Sequence, residues 1–288
     1  MLSTIRYLTF AIVVTGCTFV PPEPAIIPPA ESPTPQPCEA GEQGVALCVD
    51  FEEVPLAELV LDRSQYQHIV TAVNVASTPR VTGEQAALLS KESSLRVAES
   101  PMLDLADFTI EMWIRPDQKP PKKKDKDGVA GLFENFGRYT MQLKEDLRIR
   151  CGLLGDERDT SEEAVPLALW SHVVCRYAGG EMRVYLNGHL SSCKQLAAPN
   201  PIPDLILAGS VIGARFNAAG LDLADRLVGG VDNVRVYDHG LPQERICTSA
   251  GRSLEECNLE CPSDGDDGGD DDGGLGGLGG PGGGGRGD

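Results

Sequence analysis

The sequence predicts an all-β protein, a two-sheet antiparallel sandwich of the jelly-roll kind, with disordered segments at both ends. Three observations predict it. Apolar residues between Gly44 and Tyr237 recur with period two, turn dipeptides separate the runs, and helical periodicity is scarce. The two ends are instead dominated by Pro and by Asp and Gly, compositions that do not build a core.

The alternating runs come in order. Leu47, Val49 and Phe51 alternate with Cys48, Asp50 and Glu52. Phe108, Ile110, Met112 and Ile114 alternate with Thr109, Glu111, Trp113 and Arg115. Met182, Val184 and Leu186 alternate with Arg183, Tyr185 and Asn187, and Val231, Val234 and Val236 form a late strand. Successive strand side chains point to opposite faces, so each run buries one face and leaves the other for separate use. Gly179-Gly180 and Asn187-Gly188 supply hairpin turns. Many short strands at this spacing make a sandwich or jelly roll.

Before this region the chain reads as a processing signal. Met1 to Tyr7 carry Arg6 and no acid, and Leu8 to Val14 are a short apolar run. A membrane-spanning helix needs about 20 apolar residues, so the run fits the core of an export signal. It ends in Val14-Thr15-Gly16-Cys17, which resembles the lipobox of bacterial lipoproteins. That resemblance implies cleavage before Cys17, acylation of Cys17, and a lipid-anchored place in the cell envelope. Thr18 is not the Asp associated with inner-membrane retention, which favours the outer membrane or cell surface. Residues 1–16 are then the signal peptide, and 17–43 the lipidated Cys with a Pro-rich spacer. Residues 44–247 form the sandwich, 248–262 a Cys-containing extension, and 263–288 a disordered Asp/Gly tail. Proline fixes φ and removes donors, so the spacer favours an extended, polyproline-like form.

Nine Cys, less Cys17, leave Cys38, Cys48, Cys151, Cys175, Cys193, Cys247, Cys257 and Cys261. An even remainder in an exported chain implies disulfides, although eight Cys allow about 105 connectivities. One pairing is expected, Cys151 with Cys175, on what read as successive antiparallel strands.

The net charge of −18 repels phosphate backbones and argues against nucleic acid as a partner. With aromatics at 5%, few are spare for exposed stacking platforms.

Four blocks in order carry a family resemblance. They are Ser94 to Val97 with Ser100 to Pro116, Leu169 to Val174, Met182 to Gly188, and Gly230 to Asp238 with Leu241 to Ile246. Leu61-Asp62-Arg63-Ser64 with His68 also resembles the early Asp-x-Ser loop of the same family. Together they resemble laminin-G-like, concanavalin A-like domains over about residues 44 to 247. The resemblance implies a jelly roll whose first and last strands pair. It does not fix a function, since this fold carries lectins, adhesion modules, pentraxin-like proteins and glycoside hydrolases.

Candidate sites follow. Sugar hydrolysis needs a pair of carboxylates flanking the scissile bond. The related laminarinase-type enzymes carry a Glu-x-Asp-x-x-Glu strand, whereas Glu111 stands on its strand without a partner acid, so no enzyme is expected. A calcium ion often joins loops or terminal strands in such folds, and oxygen ligands suit it. Asp232, Glu52 and Asp62 are the candidate ligands, with surface or turn roles as the alternative. Trp113, Glu111 and Arg115 share one strand face, and Tyr185, Arg183 and Asn187 another. These can stack on and hydrogen-bond a sugar, or be covered by a second layer. Trp170 reads as core. The run Lys119 to Lys126 can meet an anionic polymer or remain a solvated loop. The expectation is a non-catalytic, lipid-anchored module that binds glycan or protein. A structural protein holding a partner and, more remotely, a divergent glycoside hydrolase are the alternatives.

Overall fold

The computed structural model describes residues 38, 42–52, 58–80, 85–122, 128–153, 158–196, 208–217, 220 and 222–261. The segment read as an export signal, Cys17, the Pro-rich segment, Lys123 to Lys126 and the Asp/Gly tail lie outside the described residues.

Among the described residues the strands are β1 (Val45–Val49), β2 (Leu59–Val60), β3 (Val70–Val73), β4 (Ala76–Pro79), β5 (Gln85–Leu89) and β6 (Ser94–Val97). There follow β7 (Phe108–Pro116), β8 (Val129–Asn135), β9 (Tyr139–Lys144), β10 (Arg148–Leu153), β11 (Arg158–Ala164) and β12 (Ser171–Ala178). Last come β13 (Glu181–Leu186), β14 (His189–Gln195), β15 (Ser210–Ile212), β16 (Arg215–Phe216), β17 (Leu223–Ala224) and β18 (Gly229–Tyr237). One helix, α1 (Gln243–Ser249), follows them.

The strands make two eight-stranded antiparallel sheets. The first has the order β14-β13-β12-β7-β18-β5-β4, and the second β11-β10-β9-β8-β15-β6-β3-β2. In the first, one edge of β18 is shared. Gly229 to Val231 pair with β5, and Val234 to Tyr237 pair with β1. The first and last long strands therefore do pair. The hairpin turns form where the dipeptides stand: Gly179 and Gly180 have φ of 61° and 85°, and Asn187 and Gly188 have 48° and 85°. Positive φ at both central residues matches the twist of the flanking strands.

The core lies between the sheets and takes the expected faces. Leu47, Val49, Phe51, Ile110, Met112, Ile114, Met182, Val184, Leu186, Val231, Val234 and Val236 all belong to it. Cys151 and Cys175 are bridged within it, with Cα atoms 5.8 Å apart. The pairing agrees with the sequence reading, but its geometric reason does not. β10 and β12 are not neighbours in one sheet; they face each other from opposite sheets, so the bond ties the two layers together. The other disulfides are Cys38–Cys48, Cys193–Cys261 and Cys247–Cys257.

Candidate functional site

The polar face of the first sheet is the natural place to look for chemistry. Because Phe108, Ile110, Met112 and Ile114 turn inward, Thr109, Glu111, Trp113 and Arg115 must turn outward. The same alternation puts His172 and Val174 of β12, Tyr185 of β13 and Tyr237 of β18 on that face. In register, Glu111 lies opposite Val174 and Arg235, and Trp113 opposite His172 and Asp232.

This face is sealed. Glu111 is 1% exposed, Trp113 3%, Tyr185 0% and Asn187 2%. The ligand-face reading of these residues is therefore corrected: no ligand reaches them from solvent. Only Arg115 and Arg183 remain partly exposed, and both are engaged, with Asp117 at 3.1 Å and Glu181 at 2.7 Å. Asn187 serves its turn, accepting the His172 N–H at its Oδ1 at 2.9 Å.

The cover is the segment after β18. Leu241 and Ile246 pack with Val45, Cys48, Val174, Tyr185, Leu190 and Tyr237 in a second apolar cluster. Polar contacts fasten it down. Leu241 donates its N–H to Thr109 Oγ1 at 2.9 Å, Arg252 donates to the Asn187 carbonyl at 2.7 Å, and Leu190 N–H donates to Asn258 O at 2.8 Å. Two disulfides complete the fastening, one within the segment and one to Cys193 on β14. A Cβ on Gly188 would come within 3.1 Å of both Ala250 and the Cys257 sulfur, so the hairpin turn and the cover fit closely.

Beneath the cover Glu111 accepts from His172 Nε2 at 2.8 Å and from the Tyr237 hydroxyl at 3.1 Å. Burial alone would raise its pKa. The hydrogen bond and charge of His172, with the charge of Arg235, outweigh burial and hold it down at about 2. A carboxylate so held is a poor general acid.

At the other end of the face, Arg80 inserts its guanidinium against two indoles. Its carbon lies 4.8 Å from the Trp113 ring centre and 4.9 Å from that of Trp170. Arg80 Nη1 donates to Asp232 Oδ2 at 3.0 Å. Burial pushes Asp232 up to about 7, with Glu52 adding to the rise and Arg80 offsetting only part. Trp170 is not core. It is half-buried over Gly230, where a Cβ would meet its ring at 2.6 Å, and Arg115 also approaches it.

Asp62 anchors the early loop. Its carboxylate accepts from the N–H groups of Cys48, Ser64 and His68, from the Ser64 hydroxyl and from His68 Nδ1, all within 2.9 Å. Burial raises its pKa, but the bonds from His68, Cys48 and Ser64 more than reverse this and lower it. The three proposed calcium ligands do not fit a common ion. Asp62 is saturated by donors, Asp232 is paired with Arg80, and exposed Glu52 reaches the Gln85 N–H at 3.5 Å. The one close group of three metal-ligating residues among the described residues is Glu181, Cys193 and Cys261, and its two sulfurs are bonded to each other. Of the lysine run, Lys122 lies 3.7 Å from Glu145.

Sequence reasoning missed Arg80, His172 and Tyr237 as partners of Asp232 and Glu111. His172 carried a signal, since it falls in register beside Trp113 on the predicted polar face. Arg80 carried none, because its position is set by a contact 152 residues away.

The comparisons with known proteins agree with this architecture. The model of the concanavalin A-like lectin/glucanases superfamily (laminin G type) matches residues 89–247, more than half of the chain. Among curated proteins, none matches the sequence. The binding domain of botulinum neurotoxin serotype D superposes with a TM-score of 0.53 at 14% identity, covering 72% of this chain and 51% of that one. A botulinum neurotoxin type C structure, whose cell entry depends on two ganglioside molecules, gives 0.50 at 12% identity, covering 72% and 51%. Trypanosoma rangeli sialidase, solved with an inhibitor, gives 0.53 at 15% identity, covering 73% and 33%. The chain thus spans about half the length of the toxin chains and a third of the sialidase.

Proposed function

We propose that this chain, which belongs to the concanavalin A-like lectin/glucanases superfamily, is a non-catalytic module that binds glycan while held at the cell envelope by a lipid on Cys17. One observation carries the non-catalytic part. Of the acids on the polar sheet face, Glu111 is sealed beneath a disulfide-fastened segment and satisfied by His172 and Tyr237, and Asp232 is buried against Arg80. Binding surfaces must then lie on loops and strand edges, outside that face.

The glycan part is supported by the superfamily and by the dependence of a similar toxin on gangliosides. The anchor is supported by the Val14-Thr15-Gly16-Cys17 tetrad. Calcium is not required in this reading, because Asp62 and Asp232 already have their counter-groups. The test is a glycan-array screen of the oxidised chain from Thr18 onward, run with calcium and with chelator. Retention of a glycan class under both conditions is expected. Retention of none would sink the glycan reading, and retention lost with chelator would restore a metal to it.

A further inference from the structure

Exposed apolar side chains are not spread evenly over this molecule. Nine large ones stand out among the described residues, and five of them fall between Leu59 and Val73. Leu59 is 62% exposed, Leu61 56%, Tyr66 39%, Ile69 63% and Val73 49%.

The strand register shows why they form one surface. Leu59 pairs with Thr71 and Val60 with Val70, so Leu61 falls opposite Ile69. Val60, Val70 and Ala72 turn into the core. Leu59, Leu61, Ile69, Thr71 and Val73 must therefore share the outer face, on the β2–β3 end of the second sheet. Farther along the same outer face the protein covers its apolar side chains. The β16–β17 hairpin lays Phe216 and Leu223 over Val211 and Ala214. Among the described residues, no such cover lies over Leu59, Leu61 and Ile69. Clustered exposed apolar groups of this kind mark contact surfaces.

The chain's own path names the occupant. A groove of about 540 Å³ runs beside Leu59, Leu61 and Ile69, and Cys38 is one of its walls. Cys38 is where the spacer from Cys17 joins the fold. The twenty residues between them reach at most about 70 Å. A domain held within that distance of a bilayer meets it at high effective concentration, so a weak contact is enough to keep it there. The stripe itself carries no charged side chain, and the chain's net charge of −18 disfavours anionic lipid.

We propose that the Leu59–Leu61–Ile69–Val73 stripe docks on the zwitterionic surface of the bilayer to which the chain is tethered. Leu61 and Ile69 enter the acyl boundary, and Tyr66 lies at headgroup level. The choice of bilayer over another partner rests on the lipid-anchor reading.

The test uses the oxidised chain from Thr18 onward, which has no acyl group. It is floated with phosphatidylcholine vesicles and compared with the Leu61→Ser, Ile69→Ser double variant. Both side chains are exposed, so the melting temperature should be unchanged. The expected result is co-flotation of the parent, reduced about tenfold or more in the variant. Absence of flotation, or equal flotation of both proteins, would overturn the proposal. So would a parent that sediments as a dimer and a variant that sediments as a monomer, which would make the stripe a self-contact. The N-terminal mass of the chain recovered from native membranes judges the anchor separately. An unacylated N-terminus would end the anchor reading and leave the flotation result to decide on the stripe.

Discussion

The outer faces of the two sheets have been treated in opposite ways. On the first sheet the outer face is polar, with Glu111, His172, Arg235 and Asp232, and it is closed by a helix and two disulfides. On the second it is polar along β9 and β10, with Gln142 and Arg150, but at the β2–β3 end it is apolar and open. Burying charge is costly unless every group is paired, whereas exposing a leucine costs little by itself. The closed face is thus where the fold is most demanding, and the open one is where a partner gains most by arriving. Residue chemistry alone points the wrong way, because the residues that look most like a site are the ones that hold the structure together.

The contrast can be broken at several points. The largest effect is expected from Glu111→Ala, which strands His172 and the Tyr237 hydroxyl in a dry interior. A loss of about 3–5 kcal/mol in denaturant unfolding is predicted. Next is the cover. Cys247→Ser with Cys257→Ser should lower stability by about 3 kcal/mol and raise proteolysis within residues 243–261 before the core opens.

Two of the buried carboxylates, Glu111 and Asp232, should give pH dependences of opposite sign. Glu111 is held at about 2 against an ordinary 4.5, so its contribution is full above 4.5 and lost as pH falls toward 2. That loss is on the order of 3 kcal/mol, and Glu111→Gln should flatten it. Asp232 is raised from 3.8 to about 7, so its contribution is full below 3.8 and lost as pH rises through 7. Asp232→Asn, which keeps an acceptor for Arg80, should flatten that limb in the same titration. The smallest effect is expected at the tail. Deleting residues 263–288 should leave the melting temperature nearly unchanged, since their composition does not support a core.

The strands were legible because period two is a local property. Phe108 to Arg115 and Met182 to Asn187 declare their faces without any knowledge of neighbours. The pairing of β1 with β18 followed from the family resemblance. What lies over a face is a different matter, because a cover comes from elsewhere in the chain. Nothing near Glu111 or Tyr185 foretells Leu241, Ile246 and the Cys193–Cys261 bond. For the same reason Cys151 and Cys175 were paired correctly but on a mistaken picture, since strand order within a sheet does not follow from alternation. Trp170 read as core because tryptophan is usually buried; here two guanidiniums and the bare backbone of Gly230 make it a bracket on the outer face.

The most direct test of the central claim measures binding and turnover together. The oxidised chain from Thr18 onward is incubated with the glycan class it retains best, and both bound glycan and released reducing ends are followed. The account predicts retention with no release, unchanged in Glu111→Gln once stability is matched. Release of reducing ends that disappears in Glu111→Gln would contradict it, for it would mean that the cover opens and that the sealed face is an active site.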